Sequence, residues 1–230
     1  MYAAEVDGQR LTFEVAGVYR RNLITRDRQT GTLWQHATGE ALMGPLKGAH
    51  LRPLGGELLR WSKWKAMHPR TSLAVEPAGS GGLIPRRLLE DMLQKFTTKH
   101  AAPGLVSDTR LPMHEEIVGV SLNGVAKAYP LSLLQDRRMI QDSVGGHPIA
   151  ILYDGDADHV SAFIRPMHDD NQPLDLLAVN GGLRSADGSM RWTWTGDPLT
   201  PHIAPLRKIP LERQWWLGWA EFHPDSDVYA

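Results

Sequence analysis

Hydrophobic positions along the chain recur at two different spacings, and the spacing decides the elements. In "IVGVSLNGVAKAYPL" (117–131) apolar and polar residues alternate on both sides of Asn123-Gly124. That pair suits a type I′ turn, so the segment predicts a β-hairpin. "PIAILYDGDADHVSAFIR" (148–165) alternates about an Asp/Gly-rich tip and predicts a second. Between them, "LSLLQDRRMI" predicts a short helix and "VGG" at 144–146 a turn. "IPRRLLEDMLQKF" (84–96) has the other period. A proline starts it, and Leu88, Leu89, Met92, Leu93 and Phe96 share one face, predicting an amphipathic helix over about 84–97. "AGSGG" (78–82) before it reads as a flexible joint, and "KHAAPGLVSDTRLPMHEE" (99–116) after it as an irregular connector. Short strands dominate, so the expected class is α+β, mainly β, and not an alternating α/β fold.

The chain also carries a pattern twice. "WSKWKAMHPRT" (61–71) lines up with "WLGWAEFHPDS" (216–226), so that Trp61, Trp64, His68 and Pro69 match Trp216, Trp219, His223 and Pro224. Upstream at the same offset, "LRPL" (51–54) lies over "LRKI" (206–209). Further back, "GTLWQHATGEAL" (31–42) lies over "GSMRWTWTGDPL" (188–199), with the tryptophan displaced by one place. The three blocks keep their order, as an internal duplication of short-stranded β-hairpin units requires.

Together these segments resemble the family called domain of unknown function 3179. The resemblance rests on "VGVSLNGVAKAYPLSLL", "IQDSVGGHPIAILY", "NLITRDRQTGTLWQHATGEALMGPLKG" and the two "W..W...HP" blocks, and covers nearly the whole chain except the 77–110 joint. It implies that 117–230 is a complete but degenerate unit, 1–76 the later part of a preceding unit, and 77–116 the linker. The half-unit lacks its own "NGVAKAYPL" hairpin, so 1–76 is expected to pack with 117–230 as one body. Family members often carry a Cys-Pro-x-Cys segment after the "GG.P" strand. Here that place reads "DGDA" (154–157), so chemistry through such a pair is not implied for this chain.

Composition narrows the function classes. The 230 residues hold 25 basic and 26 acidic side chains for a net charge of −1, which gives no electrostatic reason to expect nucleic acid as a partner. No apolar run reaches membrane-spanning length, and "MYAAEVDGQR" is not a signal peptide. The chain as written therefore reads as cytoplasmic. Family members are often exported, and export is expected here if the true N-terminus is missing. With no cysteine, disulfides, thiol catalysis and thiolate metal sites are excluded.

Candidate chemistry falls in a few places. "DGDADH" (154–159) spaces its aspartates like the start of a calcium loop but has His159 and Arg165 where that loop needs Gly and Glu, so it reads as a hairpin tip. "MHDD" (167–170) is ordinary turn chemistry, and "MHEE" (113–116) has the wrong spacing for a zinc helix. The ten histidines yield no ligand set by spacing, so neither metal nor cofactor is expected. Trp61, Trp64 and His68, like Trp216, Trp219 and His223, fall at i, i+3 and i+7 on a short helix ending before proline. Both blocks read as packing or capping devices, with an aromatic cage as the alternative.

That leaves "NLITRDRQTGTLWQHATGEALMGPLKG" (22–48), which brings Asn22, Asp27, Arg28, Trp34, Gln35 and His36 into one span. As a ligand site, Arg28 would hold an anionic or hydroxylated group, Asp27 and Gln35 would orient it, Trp34 would stack, and His36 would serve as a base. As a scaffold, Asp27 and Thr30 would bond turn amides and Trp34 would be buried. The second copy lacks the Asp-Arg pair and the Gln. The functional expectation is a non-catalytic or catalytically degenerate domain for a small polar or saccharide-like ligand or a protein partner. The alternative is a hydrolase using Asp/His chemistry around 22–36.

Overall fold

Alternating runs cut by glycine turns give sixteen short strands and three short helices among the described residues. The computed structural model describes residues 1–19, 22–54, 56–73, 75 and 108–230. The helix expected over 84–97 and most of the 77–116 linker lie outside them. Among the described residues no helix is long and apolar enough to cross a membrane. The chain is mainly β, with helices as minor connectors.

The first half opens with β1 (Glu5–Val6) and β2 (Gln9–Arg10), a small hairpin. A four-stranded antiparallel sheet follows: β3 (Phe13–Tyr19), β4 (Asn22–Asp27), β5 (Leu33–Gln35) and β6 (Ala41–Met43), in that order. Leu11, Trp34, Ala41 and Leu51 form its core. Helix α1 (Trp61–Met67) ends this half.

In the second half, β7 (Glu116–Leu122) and β8 (Val125–Pro130) turn through Asn123 and Gly124, at φ of 50° and 77°. Both residues sit in the left-handed region that a type I′ turn demands. Helix α2 (Leu131–Arg137) buries Leu131 and Leu134 and leads into β9 (Met139–Val144), β10 (His147–Asp154) and β11 (His159–Ile164). Next come β12 (Leu176–Val179), β13 (Gly182–Ser185) and β14 (Arg191–Trp192), a three-stranded sheet. Finally β15 (Leu211–Trp215), helix α3 (Trp216–Phe222) and β16 (Asp227–Val228) complete the sheet β15-β7-β8-β16. Its pairings are antiparallel except β8 with β16.

The β9–β11 sheet is a middle layer. Ile149, Ile151, Val160 and Ala162 share a core with Val118, Val120, Tyr129 and Leu134, while Ala150, Leu152 and Phe163 share one with Leu176, Leu183 and Trp192. Burial on both faces explains why "IAILY" is a continuous apolar run rather than the alternation expected of a half-exposed hairpin.

Several local arrangements occur in both halves. Ala3 donates its N–H to Arg52 O and Leu54 to Met1 O, as Ile164 does to Arg207 O and Ile209 to Ala162 O. Leu51 N bonds Gly39 O, and Leu206 N bonds Gly196 O. Gly39 and Gly196 both have positive φ, 72° and 84°, and a Cβ on either would collide with an aromatic ring: Tyr2 at 2.7 Å, Phe163 at 2.5 Å. Each glycine lets a ring lie across the backbone. The halves also touch, because Arg60 N donates to Ala157 O at 2.9 Å and Lys208 pairs with Glu57 at 2.6 Å.

Candidate functional site

The β4–β5 hairpin divides the six residues of the opening stretch into separate groups. β4 runs from Asn22 to Asp27 and returns as β5, with Thr25 opposite Trp34. Asn22 is therefore at one end and Asp27 at the other. At the Asp27 end the carboxylate is fully buried. It accepts from Trp34 Nε1 at 2.9 Å, Thr30 Oγ1 at 2.8 Å, Thr32 N at 3.2 Å and Thr30 N. Burial pushes its pKa up, but the bonds from Trp34, Thr30 and Thr32 outweigh this and hold it below the usual carboxylate value. Trp34, 1% exposed, lies in the core beneath, edge-on to Phe13. Arg28 stands on the outside of the turn, largely exposed, 3.3 Å from Glu14. Gln35 is buried with Oε1 unpartnered.

At the other end His36 donates its backbone N–H to Leu23 O, which brings Asn22 and His36 to the same rim. Asp27, Arg28 and Trp34 do not reach it.

The matching turn of the second half reaches the same end with a different residue. Ser185 N bonds Met190 O as Asp27 N bonds Thr32 O. There Asp187, inside the turn, accepts from Ser185 Oγ, Ser189 Oγ and Ser189 N, which hold its pKa down at about 2. Trp192, equivalent in burial to Trp34, donates instead to Ala204 O at 3.0 Å. A carboxylate gathering turn donors is thus present in both turns, though sequence comparison shows an aspartate missing from the second.

The two tryptophan-histidine blocks share one geometry. His68 stacks on Trp64 with centroids 4.1 Å apart, and His223 on Trp219 at 3.9 Å. Trp64 Nε1 donates to Thr71 Oγ1 and Trp219 Nε1 to Ser226 Oγ, at 2.9 and 2.7 Å. Each helix ends at the histidine, before Pro69 or Pro224. Their surroundings differ. Trp216 and Trp219 are fully buried against Ile117 and Ala128, whereas Trp61 is 49% exposed and α1 buries no residue. Gly119 on β7 makes the fit of α3 possible, since a Cβ there would stand 2.2 Å from Trp219 Cζ3.

The Asn22–His36 rim faces the second half across an open cleft of about 430 Å³. Opposite stand Ser121 of β7 and Glu212, Arg213 and Gln214 of β15, with Tyr2 beside His36. Tyr2 donates its hydroxyl to Ala37 O at 2.6 Å, and burial together with the Glu212 charge pushes its pKa up to about 12. Glu212 keeps its side chain open to solvent, though partial desolvation by the surrounding protein raises its pKa, and its carboxylate accepts from Gln214 Nε2 at 2.8 Å. Arg213 is held by Glu116 and Asp158, each at 3.1 Å. A neighbouring hollow of about 440 Å³ shares Asn22, Arg213 and Gln214 and extends toward Trp215. Among the described residues no three His, Cys, Asp or Glu side chains converge to hold a metal ion.

Sequence reasoning did not single out Tyr2, Ser121, Glu212 or Gln214. The available signal was the i, i+2 placement of Glu212 and Gln214 on one strand, which means little until β15 is seen to border Asn22 and His36.

The family described as "Protein of unknown function (DUF3179)" matches residues 1–226. The chain belongs to the DUF3179 family. No curated protein and no solved structure matches it. The DUF3179 match includes both turns, both tryptophan-histidine blocks and every residue that lines the cleft.

Proposed function

We propose that this DUF3179 protein is a duplicated binding module whose cleft takes a small, neutral, hydroxyl-rich ligand of saccharide type. One observation carries the reading: Asn22 and His36 of the first half line the same cleft as Ser121, Glu212 and Gln214 of the second. Amide, imidazole, hydroxyl and carboxyl groups together supply donors and acceptors in both senses, as an array of ligand hydroxyls needs. Leu54 and Leu211 add an apolar wall for sugar C–H groups. Arg213, held by two carboxylates, offers no spare charge to an anion. The repeated backbone bonds and ring–glycine contacts support duplication, with the cleft made where the two units meet.

Calorimetric titration with a panel of mono- and disaccharides, and with citrate as a charged comparison, tests this. A saccharide should bind, and Asn22→Ala with His36→Ala should weaken it roughly tenfold or more with little change in melting temperature. No binding at millimolar sugar, or undiminished binding by the double variant, would overturn it.

A hydrolase reading has one observation in its favour. Asp27 is enclosed by its own turn, but the Glu212 carboxyl and the His36 imidazole line one cleft, the two kinds of group that acid–base hydrolysis uses. Turnover of a chromogenic glycoside, abolished in Glu212→Gln, would decide for an enzyme.

A further inference from the structure

A second cleft, of about 500 Å³, lies between the β11 edge, Lys208–Leu211 and the Glu57–Trp64 segment. It has the layout of the first. Lys208, Ile209, Glu57 and Trp64 stand at the positions that Pro53, Leu54, Glu212 and Trp219 hold there, at one fixed sequence offset. The two clefts share only Met1, Pro210 and Leu211 among their lining residues.

Its chemistry differs. His159 forms part of the wall, is 5% exposed, and has its Nε2 buried without a hydrogen-bond partner. Buried polar atoms are almost always paired, so a lone imidazole nitrogen just behind the wall of a cavity, on a residue that lines it, marks a place for a partner that a small turn of the ring would bring within reach. The charged groups near it are Glu57, Lys208 and Asp154. Glu57 and Lys208 are paired at 2.6 Å and leave little net charge for an ion. Burial lowers the His159 pKa, so the ring is neutral near pH 7. Val160, Ala162, Ile209 and Leu211 supply apolar lining. The Trp64 indole adds a flat wall, with its N–H already donated to Thr71.

We propose that this cleft binds a small neutral ligand with an aromatic-sized apolar body and one hydroxyl, the hydroxyl pairing with His159 Nε2. A hydroxyl both donates and accepts, so it matches either tautomer of the imidazole. The apolar body lies along Trp64 and the aliphatic lining, where contact area provides most of the affinity.

The test is a titration of the full chain with phenol, with toluene as the comparison lacking a hydroxyl. It is followed by the ring-nitrogen NMR signals of 15N-histidine-labelled protein and by tryptophan fluorescence. Phenol is expected to shift the His159 Nε2 resonance and to bind roughly tenfold more tightly than toluene. His159→Leu should erase that preference while Asn22→Ala leaves it intact, which separates this cleft from the first. Equal affinity for phenol and toluene in the unsubstituted protein, or an unmoved His159 resonance at millimolar phenol, would overturn the proposal even if His159→Leu fails to fold.

Discussion

Replacing Asp27 by alanine probes the role of the opening stretch more sharply than any other change. The carboxylate has no exposure and gathers donors from Trp34 Nε1, Thr30 N, Thr30 Oγ1 and Thr32 N. The four are not equally dependent on it. Thr32 N also bonds Thr30 Oγ1 at 3.3 Å, and Thr30 is only half-buried, so water replaces part of the loss. Trp34 Nε1 sits on a side chain 1% exposed and has no such recourse. A buried donor left unsatisfied costs about 1–3 kcal/mol, and the turn amides add to it, giving roughly 3 kcal/mol for Asp27→Ala. For a domain of this size that lowers the melting temperature by about 6–12 °C. Asn in place of Asp keeps one acceptor oxygen and should lose about half as much. The pH dependence has a definite sign. Because the folded pKa lies below the unfolded value of about 3.9, the ionised carboxylate stabilises the fold fully above that pH. Its contribution fades as pH falls toward the folded pKa. Urea denaturation at pH 7 and at progressively lower pH should show the gap between Asp27→Ala and the parent narrowing on acidification. Arg28→Ala, which removes an exposed pair with Glu14, should stay within about 0.5 kcal/mol throughout. An Asp27→Ala protein as stable as the parent, yet deficient in ligand binding, would refute the scaffold argument and return Asp27 to the site.

Two further substitutions test the packing of the tryptophan helices. Gly119→Ala places a Cβ 2.2–2.5 Å from Cζ3, Cε3 and Cη2 of the fully buried Trp219 ring, so it should cost about 2–3 kcal/mol, near the upper end for overpacking. An unchanged urea midpoint would contradict that contact. Trp219→Phe and Trp64→Phe each remove an indole N–H bonded to a hydroxyl, but only the first acts at a buried site. Trp219→Phe should therefore destabilise by about 1–2 kcal/mol more than Trp64→Phe, and equal losses would show that α1 is as enclosed as α3.

The parts of the fold that could be read from sequence were those fixed by local chemistry. Asn123-Gly124 specifies its turn wherever the hairpin lies, because both residues tolerate positive φ. The W..W...HP blocks mark helix ends because stacked histidine and following proline act within one turn. Burial on both faces was harder to read. Ala150 and Ile151 are both fully buried in different cores, and only the placement of β12–β14 against one side of the sheet explains why neither is polar. The unequal burial of α1 and α3 was likewise out of reach. Their sequences match at Trp61/Trp216, Trp64/Trp219 and His68/His223, and what differs is the sheet that α3 has beneath it.

In the opening stretch, closeness along the chain does not become closeness on one surface. A six-residue strand and its partner alternate faces, so neighbours in sequence are sent to core, turn and rim in succession. Asp27 and Trp34 meet because a short turn closes between them, and that closeness is what commits the carboxylate to the turn. The matching turn of the second half has no aspartate aligned with Asp27, yet Asp187 collects hydroxyl and amide donors there from another position. Turn stabilisation requires a carboxylate within reach of the amides and not at one alignment column, so it survives a shift that sequence comparison counts as loss. A cleft obeys the opposite logic. Asn22 and His36 face Glu212 and Gln214 from the far end of the chain, and no local pattern relates them. What relates them is the packing of one half against the other, as in Arg60 N bonded to Ala157 O and Lys208 paired with Glu57. Under the duplication proposed above, two clefts at one junction with different polar linings follow naturally, because the backbone bonds recur in both halves while the lining side chains differ.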